Sequence, residues 1–379
     1  MNAQRLVFVA LASLISGVSD AMDEHGVTER TQTMPVQLIH TADLYHPPCD
    51  PDDHWDVASL YALVKMGRVE LLGVVIDHPL PPDENGIVPM GAGEPAVQAI
   101  AQLNYITGSA VVPAVGTGIP FQQAFSGNGK CLADFRAARF ILETLRRASQ
   151  PVVISIAGSC RDVAIASKFD PGLFQEKCAG IYLNAGAAFS SLPGNHDKEW
   201  NVALDPAAYR QIFEIPCPIY WMPCFDDLAR FESHAHGSYW RFRQGDVLDH
   251  LSPAVQNYFL YALSRSTDQR WLSQILGGVN SVALEIQSKS YRNMWCTAGF
   301  LHLAGLTVTR AGDLVPRFDI PESETLFHFR PVRISWENSG ANRWEPTDQP
   351  GRHFLFEVND VEKYKSTMPT ILRKLLEKL

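Results

Sequence analysis

The chain alternates short apolar runs with segments whose apolar residues recur every three or four positions. The short runs are typical of buried strands, and the wider spacing is typical of amphipathic helices. This alternation predicts βαβ units, and therefore an α/β fold with a mostly parallel central sheet and helices on both faces. The predicted strands are 36–40, 69–77, 111–115, 152–157, 180–184 and 218–222, and the predicted helices are 56–66, 94–103, 132–148, 161–167 and 206–214.

The two ends of the chain differ from this middle part. Arg5, an apolar run at 6–18 and the small-residue site Ser19-Asp20-Ala21 are typical of a secretory signal peptide. A secreted or periplasmic protein is therefore expected, without membrane contact after cleavage. Short apolar runs and an amphipathic pattern near the C-terminus predict an extension packed on the same domain. The expected organisation is a signal peptide at 1–21, a leader at 22–35, one domain at 36–315 and the extension at 316–379.

Composition narrows the class of partner. The chain is 46% hydrophobic and 19% charged, as in folded globular proteins, and its formal net charge is -9. It has no concentrated stripe of Lys and Arg, so nucleic acid is a poor candidate partner and a neutral small molecule is compatible. The seven cysteines form neither a zinc knuckle nor a dense disulfide framework.

An acidic turn at 49–56 follows the first predicted strand. Its sequence, Cys-Asp-Pro-Asp-Asp-His-Trp-Asp, holds four carboxylates immediately before a helical pattern. Hard cations such as Ca²⁺ and Mg²⁺ prefer oxygen ligands, and a helix N-terminus helps to keep carboxylates ionised. The alternative is a solvated turn whose Asp side chains cap the helix. Ligands of open parallel sheets bind beyond the carboxyl ends of the strands, and the turn lies at that edge.

Two further strand ends carry polar or small residues. Beyond the strand at 180–184, Asn195, Glu199 and Asn201 offer donors and acceptors suited to vicinal hydroxyls. The same side chains could instead cap turns and the following helix. Beyond the strand at 152–157, a tight turn at Gly158 could direct the Ala157 carbonyl toward the crevice.

These segments, in this order, resemble the inosine-uridine-preferring nucleoside hydrolases. The resemblance rests on the acidic turn, VELLGVV, VPAVGTGIP, IYLNAGAAF, the GN, EWN and DPAA elements and PIYWMP, and it covers 36–222 and, more weakly, the chain to 305. It implies Ca²⁺-dependent hydrolysis of the N-glycosidic bond of a ribonucleoside or related riboside, without an organic cofactor. Homo-oligomers are common in that family, so an oligomer is compatible with the resemblance.

The resemblance also implies roles for individual residues. The breaking bond leaves positive charge on the ribosyl ring, which carboxylates and hydrogen-bond acceptors stabilise. Asp50 or Asp53 would activate the attacking water. The implied Ca²⁺ ligands are Asp50, Asp52, Asp56 and the Ala157 carbonyl, and the implied substrate-binding residues are Asn184, Asn195, Glu199 and Asn201.

The chain departs from the family pattern in three places. The Gly of the family's acidic turn is missing, and the spacing between Asn195 and Glu199 is shorter by about two residues. The family's late His-Asp pair is also missing, because the corresponding stretch reads Asn-Met-Trp-Cys-Thr-Ala at 293–298. Asn293 or a residue of the acidic turn would then replace the lost metal ligand.

Protonation of the leaving base could fall to His236, with Trp240 stacking on the base. The alternative is an exposed His-rich loop whose aromatic residues pack on the core. His54 is a second candidate acid or an ordinary turn residue, and the pair Asp226-Asp227 is expected to cap a helix. A second function also stays open, namely a non-catalytic nucleoside-binding or sugar-binding protein, or a hydrolase of another riboside.

Overall fold

The computed structural model describes residues 34–44, 51–77, 94–126, 131–188, 199–226, 231–266, 268–337, 342–349 and 351–379. The proposed signal peptide and two of the predicted site residues, Asp50 and Asn195, lie outside these ranges. The described residues from Val36 onward form one unit.

A nine-stranded sheet forms the centre of this unit. Its strands are β1 (Val36–Ala42), β2 (Val69–Ile76), β3 (Val112–Val115), β4 (Val152–Ala157), β5 (Cys178–Asn184), β6 (Ile219–Met222), β11 (Phe327–Trp336), β12 (Asn342–Pro346) and β13 (His353–Val358). They lie in the order β12-β11-β13-β6-β5-β4-β1-β2-β3. The neighbouring strands from β3 to β13 in this order are all parallel, whereas β11 runs antiparallel to both β13 and β12. Two small sheets pair β7 (Trp240–Arg243) with β8 (Tyr291–Met294) and β9 (Leu306–Val308) with β10 (Leu314–Pro316).

Helices connect most of these strands. They are α1 (Asp52–Lys65), α2 (Glu94–Thr107), α3 (Phe121–Ala124), α4 (Arg136–Arg147), α5 (Arg161–Phe169), α6 (Pro171–Lys177), α7 (Trp200–Leu204), α8 (Pro206–Ile212), α9 (Gly245–Leu248), α10 (Pro253–Leu263), α11 (Trp271–Leu276), α12 (Ser281–Ser288), α13 (Thr297–Leu303) and α14 (Val361–Leu376). Short 3₁₀ turns occupy Leu132–Asp134, Arg317–Asp319 and Glu322–Glu324.

The alternation of side chains along the strands explains why helices cover both faces of the sheet. Neighbouring residues of a strand point to opposite faces. In β1, Leu38 belongs to the core that α1, α2, α10 and α14 cover, and Ile39 belongs to the core that α4, α5 and α8 cover. Both side chains are fully buried. The predicted fold class, an α/β fold with a mostly parallel sheet, is confirmed.

The boundaries of the predicted elements agree closely with the structure in most cases, and two differ. The first helix begins at Asp52 rather than at 56, so the acidic turn supplies the first turn of α1. The predicted helix at 132–148 is a 3₁₀ turn followed by α4, with Phe135 between them. Among the described residues, no helix is long and apolar enough to cross a membrane.

The C-terminal segment contributes directly to the central sheet. Strand β13 pairs with β6 in parallel, and β11 and β12 extend the sheet beyond it. Helix α14 packs against α1, α9 and β7. Its Tyr364 hydroxyl donates to the Ser238 carbonyl at 3.0 Å, which ties the helix to the loop before β7. The segment therefore fixes elements that border the candidate site.

Candidate functional site

The chain reverses its direction of winding between β1 and β4. From β1 it continues to β2 and β3 on one side, and β4, β5 and β6 follow on the other side. Ligands of open α/β sheets bind beyond the carboxyl ends of the strands at such a switch point. A cavity of about 330 Å³ lies at this edge, and its lining is Asp43, Asp52, Asp53, Ala157, Asn184, Glu199, Trp200, Asn201, Cys224, Phe225, Phe231, Trp295 and Cys296.

Three carboxylates from the first turn of α1 form an acidic cluster, Asp52, Asp53 and Asp56. Residues three and four positions apart share a helix face, so both Asp52 and Asp53 lie beside Asp56. One oxygen from each carboxylate lies within 4.8 Å of the others. Asp43, directly after β1, lines the same cavity. The sequence therefore brings four carboxylates together from one strand end and one helix start.

Burial and mutual repulsion make these carboxylates hard to ionise. Burial is the main cause that raises the pKa of Asp53 well above its usual value, and the charges of Asp43, Asp52 and Asp56 add to it. Burial also raises the pKa of Asp56 to about 7. It raises the pKa of Asp43 to about 6, although the Trp200 indole, which donates to Asp43 Oδ2 at 2.8 Å, opposes the shift. Without a compensating cation, the cluster would hold protons near neutral pH.

Another buried carboxylate, Asp77, lies directly after β2. The Ser159 amide donates to both of its oxygens at 3.1 and 3.0 Å, which ties the end of β2 to the turn after β4. Burial nevertheless raises the pKa of Asp77 to about 7, with the charge of Asp43 as the next cause. Asp77 therefore adds negative potential beside the acidic cluster.

The acidic cluster fits a divalent cation. Both carboxylate oxygens of Asp56 are buried and have no hydrogen-bond partner among the described residues. The Cys296 thiol lies close enough to lower the pKa of Asp56, but its hydrogen bond goes to Asn184 Oδ1 at 3.4 Å. Buried carboxylates without donors are costly unless a cation compensates them. Carboxylate oxygens are the ligands that Ca²⁺ and Mg²⁺ prefer, and Ala157 borders the same cavity.

Glu199 and Asn201 also line the cavity, at the start of α7. The Glu199 carboxylate caps this helix by accepting from the Asn201 and Val202 amides at 2.9 and 3.2 Å. It also accepts from the Gly186 amide at 2.8 Å, where the backbone has φ +80°. Glu199 therefore caps the helix, which is one of the two alternatives drawn from the sequence, and it also lines the cavity.

Asn184 connects several parts of the cavity wall. Its side-chain amide donates to the Met222 carbonyl at 3.0 Å and to Ser238 Oγ at 2.9 Å. Its Oδ1 accepts from the thiols of Cys224 and Cys296, at 3.7 and 3.4 Å. The Asn201 side chain donates to the Asn184 backbone carbonyl at 2.9 Å. With these bonds the Asn184 side chain acts mainly to position its neighbours.

An aromatic cluster borders the cavity and consists of Phe225, Phe231, Tyr239 and Trp295. Ring centroids lie 5.6 Å apart for Phe225 and Phe231, 6.2 Å for Phe225 and Trp295, and 5.7 Å for Tyr239 and Trp295. All of these rings except that of Tyr239 line the cavity. Such a surface suits a flat heterocycle. The cavity lining thus combines carboxylates with aromatic rings.

His236 and Trp240 are not brought to the cavity lining. His236 lies beside Asp226, with 3.4 Å between Nδ1 and Oδ1, and its ring centroid is 5.0 Å from that of Trp344. Trp240 is fully buried and packs against Phe242. The alternative drawn from the sequence, aromatic residues of this segment packed on the core, describes Trp240.

The remaining predicted positions also have structural partners. His54 is buried, with Nδ1 3.1 Å from the Tyr258 hydroxyl. Asn293 accepts from the Tyr239 hydroxyl at 3.0 Å and does not line the cavity. Asp226 accepts from the His236 amide at 3.1 Å, and Asp227 and the residues after it to 230 lie outside the described residues.

Several residues of the site were not predicted from the sequence. Asp43, which lines the cavity, and Asp77, whose charge acts on Asp53, each follow a strand directly. That position was a usable signal, because strand ends meet at one edge of the sheet. Cys224 and the pair Trp295-Cys296 gave no such signal. They reach the cavity through long-range packing of the segments after β6 and β8.

Comparison of the sequence with protein-family models gives no match, and comparison with curated proteins gives none. Solved structures do resemble the fold. The effector protein XOO4466 is 13% identical with a TM-score of 0.52 over 90% of this chain and 94% of that chain. The type III effector protein XopQ, complexed with adenosine diphosphate ribose, is 14% identical with a TM-score of 0.51 over 99% of each chain. An inosine-uridine preferring nucleoside hydrolase from Bacillus anthracis is 15% identical with a TM-score of 0.48 over 91% of this chain and 100% of that chain.

Proposed function

We propose that this protein hydrolyses the N-glycosidic bond of a ribonucleoside or related riboside, giving ribose and the free base. The observation that carries the proposal is the cavity itself, which combines the acidic cluster, the polar pair Glu199 and Asn201, and the aromatic cluster at the switch point of the sheet. Each part corresponds to one requirement of the reaction: a metal and water site, a sugar site and a base site.

The metal proposed for the acidic cluster is Ca²⁺, held by Asp52, Asp53 and Asp56 with the Ala157 carbonyl. When bound, Ca²⁺ would orient the sugar hydroxyls and lower the pKa of a water. Asp53 is the described residue proposed to take the proton of that water, because it belongs to the acidic cluster and lines the cavity. Asp50, proposed from the sequence for the same roles, lies outside the described residues.

The other lining residues would act on the sugar and the base. Asn201 and Glu199 border the sugar site, and their negative or polar oxygens stabilise the positive charge that grows on the ribosyl ring. Phe225 and Trp295 would hold the departing heterocycle by stacking. Exclusion of bulk water by these rings strengthens the electrostatic contribution of the carboxylates.

The test is release of reducing sugar from a panel of purine and pyrimidine ribonucleosides, with Ca²⁺ and again with EDTA. We expect release that EDTA abolishes and that Asp53→Asn lowers by at least about 100-fold, the scale of a lost general base. The matched control, Asp313→Asn, removes an exposed carboxylate outside the lining and should leave the rate unchanged. No release from any riboside would contradict the proposal.

A second candidate is a binding protein without turnover. The observation that favours it is the pair Trp295-Cys296, which lines the cavity and belongs to the stretch 293–298 that lacks the late His-Asp pair of the resembled family. Calorimetric titration with ribonucleosides distinguishes the two. Saturable binding without sugar release, in the presence of Ca²⁺, would support the binding protein.

For location we propose export, on the basis of the N-terminal segment alone. Cleavage after Ala21 would leave a mature protein that begins at Met22. N-terminal sequencing of the protein recovered from the periplasm or the medium tests this. An intact N-terminus in the cytoplasmic fraction would contradict it.

A further inference from the structure

We propose that Cys178 and Cys217 form a disulfide bond that joins the starts of β5 and β6 and stabilises the segment between them. This bond is independent of the proposed reaction, because the cavity lies at the other end of these strands. Both residues are buried thiols in the structure. The strand register, the core that both side chains share and the surroundings of the other cysteines all favour this pair.

The register of β5 and β6 fixes the place of the second cysteine. The two strands are parallel neighbours, with Ile181 opposite Ile219. The Ile181 amide donates to the Pro218 carbonyl at 2.8 Å, so the two chains already run side by side before β6 begins. Cys217 lies two positions before Ile219, and residues two positions apart in extended chain point to the same face. In regular strands its neighbour on β5 would be Ala179.

A β-bulge in β5 puts Cys178 in that place instead. Val152 lies opposite Cys178, and the residue after it in β4 lies opposite Gly180. Ala179 is therefore an extra residue in β5. Counted without this extra residue, Cys178 lies two positions before Ile181. It therefore lies beside the cysteine that precedes β6.

The packing of the side chains agrees with this register. Cys178 and Cys217 both belong to the core that α4, α5 and α8 cover. The paired residues Ile181 and Ile219 belong to the same core, whereas Ala179 packs against the other one. Interaction with the Cys178 thiol is the main cause that raises the pKa of the Cys217 thiol well above its usual value. The two sulfurs therefore share one face of the sheet and lie close together.

Neighbouring positions on adjacent strands satisfy the geometry of a disulfide. Adjacent strands of a sheet lie about 4.8 Å apart. This spacing falls within the separation of about 4.4 to 6.8 Å between Cα atoms that the bond requires. Cys217 lies between Pro216 and Pro218, whose fixed φ angles restrict the backbone on both sides of it. The bond therefore needs movement of the side chains and little movement of the strands.

The other described cysteines lie in different surroundings. Helical turns begin directly after Cys131, Cys160 and Cys296, and Cys224 lines the cavity. Cys224 and Cys296 form the nearest competing pair, because both donate to Asn184 Oδ1, at 3.7 and 3.4 Å. Of the cysteines in the described ranges, only Cys178 and Cys217 lie where two neighbouring strands begin.

Formation of the bond is an oxidation that needs a partner. Each thiol loses its proton, and the two sulfurs together give up two electrons as the bond between them forms. A small-molecule disulfide such as oxidised glutathione accepts both electrons and both protons and leaves as two thiols. The exchange takes place while the chain folds, before the core covers both sulfurs. Exported proteins fold where such oxidants persist, which agrees with the location proposed above.

The direct test is peptide mapping of the protein after folding in a buffer of oxidised and reduced glutathione. Free thiols are alkylated in denaturant before digestion. Trypsin releases Cys178 in the peptide 178–198 and Cys217 in the peptide 211–230. We expect these peptides to be joined by a bond that reduction breaks, with fragment ions that place it at Cys217 rather than at Cys224. Alkylation of both thiols in most chains, or a bond between other cysteines, would overturn the inference.

Thermal unfolding measures the stabilising role of the bond. The bond closes the segment 178–217, which carries Asn184, Glu199 and Asn201 of the cavity lining. Closing a segment of this length restricts the unfolded chain and so stabilises the folded one. We expect the protein folded in the glutathione buffer to have a Tm at least about 4 °C above that of the protein folded in reductant.

Variants assign this difference in Tm to the two residues. Cys178→Ser and Cys217→Ser should each abolish the difference, because either change removes one sulfur of the bond. Cys160→Ser is the matched control, since Cys160 is a buried thiol of the same core, and it should keep the difference. If a Ser variant does not fold, the Ala variant at the same position replaces it. An equal Tm of the parent in both buffers, or a difference that Cys178→Ser keeps, would overturn the inference.

Discussion

At the residue scale, Asp56 is the residue that best tests whether the acidic cluster binds a metal. Its carboxylate is fully buried without a hydrogen-bond partner among the described residues, and burial raises its pKa to about 7. We expect Asp56→Asn to weaken Ca²⁺ binding at least about ten-fold by calorimetry. In EDTA at pH 8 the same variant should be no less stable than the parent, because it removes a buried charge.

Asp313→Asn is the control for this comparison, since Asp313 is exposed. It should change neither Ca²⁺ binding nor stability. Unchanged Ca²⁺ affinity in Asp56→Asn would remove Asp56 from the metal site. A large loss of stability in EDTA would instead indicate that the carboxylate makes a structural contact essential to the fold.

The ion pair between Arg161 and Asp205 leads to a second prediction at this scale. Both side chains are buried, and the Arg161 guanidinium also donates to the Thr117 and Leu204 carbonyls at 3.2 and 3.0 Å. Arg161→Leu leaves the Asp205 charge buried, so we expect a loss of about 3–5 kcal/mol in the free energy of unfolding. Urea denaturation measures this.

The control for that pair is the more exposed ion pair between Arg146 and Asp170, in which Arg146 Nη2 lies 2.8 Å from Asp170 Oδ2. The Arg146 side chain is about half exposed. Arg146→Leu should cost less than about 1 kcal/mol, because solvent screens the pair. Equal losses in the two variants would show that burial does not govern the contribution of Arg161.

At the residue scale, the sequence predicted part of the site. It predicted an acidic turn that contains Asp52, Asp53 and Asp56, because runs of carboxylates before a helix are visible locally, and the structure places the three residues together in the first turn of α1. It did not place Cys224 or Cys296, since their positions depend on how distant loops pack against β5. It proposed Trp240 for the base site, but an aromatic residue in an apolar strand is buried as readily as it is exposed to a ligand.

At the element scale, the turn from β4 to α5 depends on a glycine. A Cβ at Gly158 would overlap the Asp77 carboxylate, so in Gly158→Ala this carboxylate must leave its place and lose its hydrogen bonds with the Ser159 amide. We expect loss of at least about ten-fold in sugar release, because these bonds tie the end of β2 to the turn that follows Ala157. Thermal unfolding should also begin at a lower temperature.

Gly172→Ala is the matched control for this element. Gly172 lies in α6, and a Cβ there meets its nearest atom only at 3.9 Å. Because Ala is favoured over Gly in helices by up to about 1 kcal/mol, this variant should be equally or more stable and fully active. Full activity in Gly158→Ala would contradict the role given to the turn.

The central strands were predictable from the sequence, whereas the edge of the sheet was not. Strands β1 to β6 are apolar runs, and their alternation with helices gives parallel order directly. Strands β11 to β13 alternate apolar and polar residues, which predicts strands but not their partners. Pairing of β13 with β6 joins segments more than 130 residues apart, as in the pair His353 and Ile219, and no local pattern encodes such a contact.

At the scale of the whole molecule, the acidic cavity links stability to pH and to Ca²⁺. The folded protein holds the pKa of Asp43 at about 6 and those of Asp56 and Asp77 at about 7, against 3.8 for an ordinary Asp. Between pH 4 and 7 the folded state therefore binds protons that the unfolded state has released. The metal-free protein should lose stability as pH rises through this window.

Ca²⁺ binds the ionised carboxylates and so competes with these protons. We expect Ca²⁺ at 100 times its Kd to stabilise the fold by about 2.7 kcal/mol at pH 8. At pH 5 the same concentration should stabilise it far less, because the carboxylates of the cavity are protonated there. The measurement is the shift in Tm between EDTA and Ca²⁺ at the two pH values, with the double variant Asp52→Asn, Asp56→Asn as the control that removes the shift. Equal shifts in Tm at pH 5 and pH 8 would contradict this prediction, because they would show that Ca²⁺ does not bind at the buried carboxylates but elsewhere on the molecule.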